Sequence, residues 1–415
     1  MKKTTTLIFV LLSAMILSSA CSNGNRSVAK DREDSAIAGD YNLSLYSEFE
    51  KNQVFAQSPK GVYFILGSYL FFMPDDGKEA SPLCYKPECL HLEETDENRI
   101  ADCDAFVGGS PAQLPFISYY KDHIYLTSIS KEDGAIDLIR MKEDGSEKET
   151  IVKDLLAQGV MRVRMHRGVI YYHTDTFSLE GVRQQQIWAL PVDQSNQQPE
   201  AIYTCDEQEW SLTYFLPYKN QLFFSEYNDD YHLNETRVYR YDTETGQVER
   251  ILDEEGKSWF AAGIYKDHLI VRGSTDDYED YDLAEKALTK DEYGIMPFIE
   301  KHTGWNCHIE CFTDTFRTYV CYDRENGEMI NDLIITDEKG VEKAVIPDEA
   351  WLLSSSIVMT IGDEDYYIRG CNDASNFSVK KYKCSDLLAG VVDPDVLFEA
   401  DSWETMYPPY VISNQ

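Results

Sequence analysis

Between Phe215 and Leu252 apolar and polar residues alternate with a period of two, and turn residues interrupt the alternation at intervals. Tyr218, Leu222, Phe223 and Phe224 flank a Lys219-Asn220 turn. Further on, Val238, Tyr239 and Tyr241 alternate with Arg237, Arg240 and Asp242 before a turn closed by Gly246. A strand places successive side chains on opposite faces, so this pattern predicts two hairpins and one four-stranded antiparallel sheet. Such a sheet is too thin to bury both faces alone. It makes sense only if neighbouring copies stack against it.

The copies are present. Aligned on the first turn, the unit recurs as Ser58-Pro59-Lys60-Gly61 before Val-Tyr-Phe, Tyr120-Lys121-Asp122-His123 before Ile-Tyr-Leu, and His166-Arg167-Gly168 before Val-Ile-Tyr-Tyr. It returns at Tyr218-Lys219-Asn220-Gln221, at Tyr265-Lys266-Asp267-His268 and at Gly362-Asp363-Glu364-Asp365. Second hairpins follow at Ile139 to Val152 around Asp144-Gly145, at Ile187 to Tyr203, and at Leu333 to Ile346. Successive starts lie roughly 46 to 62 residues apart, with one last interval of about 97, a spacing that fits propeller blades. Segments His308 to Phe312, Arg317 to Tyr322, Leu333 to Thr336 and Val341 to Ile346 would fill the long interval with a further sheet. The expectation is therefore an all-β propeller of four-stranded antiparallel blades, seven rather than six. The count hangs on the stretch near 274–305, where Leu283 to Leu288 and Ile295 to Ile299 read as a partly helical insertion. A pair of packed sheets has no reason to repeat one aromatic pattern at near-constant spacing, and no run shows the continuous lipid-facing band of a membrane barrel.

Composition adds an address. Lys2 and Lys3 precede an apolar run from Leu7 to Leu12, and small residues Ser18, Ser19 and Ala20 stand directly before Cys21. The order of basic, apolar and small regions is that of an export signal, and the apolar core is short for a membrane span. Residues 22–45 are polar and poor in large apolar side chains, the composition of a tether. The predicted organisation is a signal peptide over 1–20, a tether over 21–45 and a propeller over 46–415. A formal charge of −35 argues against a nucleic-acid partner, since phosphate-binding surfaces need an excess of Lys and Arg.

Small residues followed by Cys21 resemble the lipobox of bacterial lipoproteins, whose cysteine thiol takes a diacylglycerol; Ser18 stands where that family prefers Leu. The paired aromatics and the Tyr-Arg-Tyr-Asp-x-x-Thr-Gly hairpin resemble the β-propeller repeats of bacterial surface lipoproteins. These resemblances imply a ring of blades on a membrane-anchored, extracytoplasmic body, at the cell surface or on the periplasmic face, and no particular chemistry.

Outside the repeat, the most distinctive segment follows the first blade: Cys84, Cys89, His91 and Cys103, spaced Cys-x4-Cys-x-His-x11-Cys. Three thiolates and an imidazole can close tetrahedrally on zinc. Export to an oxidising compartment favours a disulfide instead, and free thiols are the third reading. Of ten cysteines, nine remain without Cys21, an odd number that cannot pair completely. The segment is similar to a Cys-Cys-His-Cys insertion of such propeller lipoproteins. A weaker cluster is Cys307, His308, Cys311 and Cys321, where packed thiols or one disulfide compete with a metal. Asp276, Asp277, Glu279, Asp280 and Asp282 offer hard oxygens for calcium but lack the glycine and terminal glutamate of an EF-hand loop. No nucleophile elbow, phosphate-binding loop or His-Glu-x-x-His motif occurs. The reading favours a lipid-anchored module that binds a protein, peptide or glycan over an enzyme. The alternatives are a glycan hydrolase or lyase using channel-lining carboxylates, and a metal- or redox-responsive structural lipoprotein.

Overall fold

The computed structural model describes residues 54–408 apart from 76, 109–115, 193–197, 229–234, 253–257, 266, 274–277, 291–294, 313–314, 348–356, 362–364, 373–375 and 401–402; within several strands it describes the backbone only. Seven four-stranded sheets follow one another along the chain, at 55–82, 117–152, 160–205, 210–252, 259–290, 305–346 and 357–400. Every pairing is antiparallel, and each sheet is built from four consecutive strands. First strands lie beside first strands of adjacent blades, as in blades one and two, three and four, four and five, and six and seven. The first strand is therefore the innermost. Turns between first and second strands gather at one end of the ring, and turns between second and third strands gather at the other, here called the far end. Among the described residues there are also four short helices: α1 (Glu97–Asp102), α2 (Ile295–Lys301), α3 (Cys384–Leu388) and α4 (Trp403–Met406).

Alternation explains how thin sheets become stable. In blade four Leu222, Phe223 and Phe224 are all fully buried. Leu222 and Phe224 join Tyr171, Ile187 and Trp210 in the core shared with blade three, whereas Phe223 joins Trp259, Leu269 and Tyr281 in the core shared with blade five. The period of two thus sends alternate side chains to alternate neighbours. Each of the seven junctions has such a core, including the one between blade seven and blade one.

Local hydrogen bonding sets the turns. Lys121 and Asp122 both have positive φ, 44° and 60°, the two-residue hairpin geometry that matches strand twist. In the Tyr-Arg-Tyr-Asp-x-x-Thr-Gly hairpin the Asp242 carboxylate accepts the backbone N–H groups of Glu244 at 3.0 Å and Thr245 at 2.8 Å, and Gly246 takes φ 70°. The Thr245 bond, followed by that from Glu244, holds the Asp242 carboxyl below its usual pKa range.

The stretch expected to be helical is divided. Tyr278–Asp282 and Ala287–Lys290 are the outer strands of blade five, and only α2 is helical. Leu283 to Leu288 has good helix formers, yet Asp282 caps a turn by accepting from Ala284 and Glu285 at 2.8 and 2.9 Å, and Leu288 pairs with Tyr281 across the hairpin. Tertiary pairing overrides propensity there. Helix α2 packs Ile295, Phe298 and Ile299 into the junction of blades five and six.

Candidate metal centre

Residues 83–108 connect blade one to blade two at the far end of the ring. The fourth strand of blade one continues as Leu83, whose N–H reaches Leu70 O at 2.9 Å, and delivers Cys84. A turn over Lys86-Pro87, closed by Cys89 N–H to Lys86 O at 3.2 Å, brings Cys89 back. His91 opens a 3-10 turn, His91–Glu93, in the left-handed region at φ 52°, a conformation that costs a non-glycine residue on the order of 1 kcal/mol. Asp96 then caps α1 by accepting from Asn98 and Arg99 at 3.0 and 3.2 Å, so the helix ends at Cys103. The chain returns along blade one, with Leu70 N–H to Ala105 O at 2.8 Å and Val107 N–H to Ser68 O at 2.9 Å.

The result brings together the four residues singled out by spacing. One ligand atom from each of Cys84, Cys89, His91 and Cys103 lies within 4.8 Å of all the others, and Cys103 Sγ is 3.7 Å from His91 Nδ1. A tetrahedral ion with metal–sulfur bonds of about 2.3 Å puts its sulfurs about 3.8 Å apart, so small movements would close the set. No disulfide joins the three cysteines. Cys103 is buried and the others partly so; burial, then the sulfurs of Cys89 and Cys84, pushes the Cys103 thiol well above its usual pKa.

The surroundings supply positive charge. Lys86 Nζ is 3.3 Å from Asp104 Oδ1, whose Oδ2 accepts from Cys84 Sγ at 3.7 Å. Lys148, from blade two, donates to Asp104 O at 2.6 Å. Three thiolates and a neutral imidazole around a divalent ion carry a net charge of about −1, which these cations offset. Nothing in the spacing of the cysteines pointed to Lys148, some forty residues further along the chain.

The other predicted positions fare differently. Cys21 and the boundaries at residues 20 and 45 lie outside the described residues. Cys307 and Cys321 are directly paired across the first two strands of blade six and form a disulfide, so two members of the weaker cluster are used up. The side chains of His308 and Cys311 lie outside the described residues. Cys205 and Cys384 are buried and outside any disulfide. Asp276 and Asp277 also lie outside the described residues. Glu279 and Asp280 are neighbours on a strand and so face opposite sides, Asp280 is fully buried, and Asp282 caps its own turn. Those three are not gathered as a calcium site.

Two features had no sequence signature. Buried Glu226 accepts hydrogen bonds from Tyr203 at 2.7 Å and Tyr239 at 3.0 Å, with the Arg237 guanidinium 3.6 Å away and stacked on Trp210. At the far end of blade three Met161, Phe177, Leu179 and Val182 are exposed, as are Leu156 on the connection leading into that blade and Tyr227 on the second strand of blade four. Leu179 is entirely uncovered at the tip of a turn closed by Ser178 N–H to Val182 O at 2.8 Å.

No family model matches the chain, and no curated protein matches it. Among solved structures it is similar to a prolyl endopeptidase, with TM-score 0.51 and 10% identity, covering 96% of this chain and 55% of that one. Prolyl oligopeptidase B from Galerina marginata is similar at TM-score 0.50 and 8% identity, covering 90% and 53%. An oligogalacturonate lyase in complex with manganese gives TM-score 0.44 at 11% identity, covering 64% and 72%, too low a likeness to carry an argument. The chain spans about half the length of the two peptidases. At these identities the likeness shows the fold alone, and this chain's own topology makes it a seven-bladed propeller with a Cys-rich segment after its first blade.

Proposed function

We propose that this chain is a bacterial, lipid-anchored extracytoplasmic propeller that binds a protein, peptide or glycan at the far end of its ring, with zinc held by Cys84, Cys89, His91 and Cys103. The observation that supports binding is the apolar group on blade three. Phe177, Leu179 and Val182 project from one turn, while Leu156 and Met161 border the same end of that blade. Exposed apolar side chains scattered singly mean little, but a gathered group flanked by polar residues is the usual mark of an interaction surface. Its base is rigid: Arg183 pairs with Asp175 through contacts of 3.0, 3.2 and 2.7 Å and donates to Ser211 of blade four at 2.6 Å. A glycan-active enzyme on the same scaffold has less support, because the buried carboxylate Glu226 is engaged by two tyrosines.

Zinc is favoured over calcium because the donor set is soft, three sulfurs and one nitrogen, and closed to a fifth ligand. Three thiols this close in an exported protein would also oxidise in pairs unless an ion held them. The anchor reading rests on Cys21, and no nucleic-acid partner is proposed for so acidic a chain.

The test uses the full chain in its bacterial membrane. A Phe177→Ser, Leu179→Ser double variant should fold normally, with its melting temperature unchanged, and lose at least tenfold in binding to hits from peptide and glycan arrays. Unchanged binding by that variant would remove the surface from the account. Cys21→Ser should move the protein from the membrane to the soluble fraction; retention on the membrane would contradict the anchor.

A further inference from the structure

A ring must be closed, and a strand shared between the ends of the chain would do it. Among the described residues blade one is built from 55–82 and blade seven from 357–400, with no strand shared between them, so their closure rests on packing. The junction core joins Phe55, Phe64 and Phe71 of blade one to Tyr367, Phe377 and Leu397 of blade seven. Phe71 and Phe398 have ring centroids 4.5 Å apart, and Phe55 and Tyr367 6.0 Å. Among the described residues two backbone hydrogen bonds cross the seam: Ala80 N–H to Leu397 O at 2.9 Å and Ser68 N–H to Met406 O at 2.8 Å.

The Cys-rich segment belongs to this same core. Ile100, Cys103, Ala105 and Phe106 are buried in it alongside Met406, with Cys84, Cys89 and Leu92 packed against it. Helix α4, the last described element, lies against the 3-10 turn that carries His91. Ser68 is held from both sides: its N–H bonds Met406 O, and its carbonyl accepts from Val107 N–H at 2.9 Å. The segment that would carry the metal is thus the piece between blade one and α4.

We propose that a zinc ion on Cys84, Cys89, His91 and Cys103 is the clasp of the ring. By cross-linking residues 84 to 103 it fixes the surface on which α4 docks, and so holds blade seven against blade one. This rests on the zinc reading above and goes beyond it, since a metal could equally fix its own loop and nothing else. The clasp replaces a shared strand by coupling ring closure to metal binding.

The experiment is amide hydrogen exchange on the full chain, zinc-loaded and after removal of zinc by a chelator, with zinc then restored. Zinc should be present at one equivalent. Its removal should speed exchange at least tenfold in peptides covering 61–74, 365–372 and 395–406, leave blades three to five unchanged, and reverse on adding zinc. Met406→Ala should loosen the same seam peptides while zinc stays bound. If zinc binds but its removal loosens only 84–106 and leaves 395–406 protected, the ion is a local staple and the clasp is wrong. Failure of the chain to take up zinc would sink both the clasp and the zinc reading. Seam protection unchanged in Met406→Ala would also overturn the clasp, because α4 would then not be what closes the ring.

Discussion

His173 shows what a blade does to a titratable side chain. It is 4% exposed on the second strand of blade three, and neither ring nitrogen makes a hydrogen bond. Gln185 could reach it, but that amide is committed to Trp210 O at 2.8 Å and Leu212 N–H at 3.0 Å of blade four. Burial, then the charge of Arg162, lowers the His173 pKa to about 3; Asp175 opposes this and Arg183 adds to it. The folded state keeps the ring neutral at pH values where the unfolded chain protonates it. Stability is then complete above about pH 6.5 and declines as the pH falls from there towards 3, by about 1.4 kcal/mol per pH unit. Replacing His173 by Gln should flatten that acid limb, leaving the variant roughly 2 kcal/mol less sensitive between pH 6.5 and pH 5 in urea titrations. Parallel acid limbs in the two proteins would show that His173 is not buried neutral. Chain position alone marks His173 only as one histidine in an aromatic strand. Its burial comes from blade four, more than thirty residues later. The cysteines differ, because four candidate ligands within twenty residues need only local turns to bring them together.

Among elements, the turns were the most legible parts, because their chemistry is local. Asp242 and Gly246 announce a turn by what they bond and by the φ they allow. Less legible was Leu283 to Leu288, whose helical propensity yields to the Asp282 turn and to its partner strand. Glycines separate local from long-range demands. Gly246 takes φ 70° in open space, whereas Gly67 takes φ 60° with the Met406 carbonyl oxygen 2.5 Å from where a Cβ would stand. Alanine at Gly246 should cost about 1 kcal/mol, the price of the left-handed region for an L-residue. Alanine at Gly67 should cost clearly more, since it must also displace the acceptor of the Ser68 bond across the seam. Chemical denaturation of the two variants checks this. Equal losses would mean that the seam yields without resistance.

On the scale of the whole molecule, periodicity revealed the ring and most of its blade count, because each blade repeats the same alternation. How the ring closes was not legible. Closure depends on Met406, Leu397 and the 84–106 segment meeting, which are distant in sequence and share no motif. Likewise the apolar end of blade three is visible only once the turn carrying Leu179 is seen to have nothing covering it. The cluster of Cys84, Cys89, His91 and Cys103 joins both scales, short-range in sequence and, through its cysteines, part of a core that spans blades one and seven. X-ray absorption at the zinc edge of the purified full chain addresses it most directly. The account predicts one zinc per chain with three sulfur neighbours at about 2.3 Å and one nitrogen at about 2.0 Å. A zinc-free protein in which mass spectrometry finds two of Cys84, Cys89 and Cys103 joined as a disulfide would contradict it.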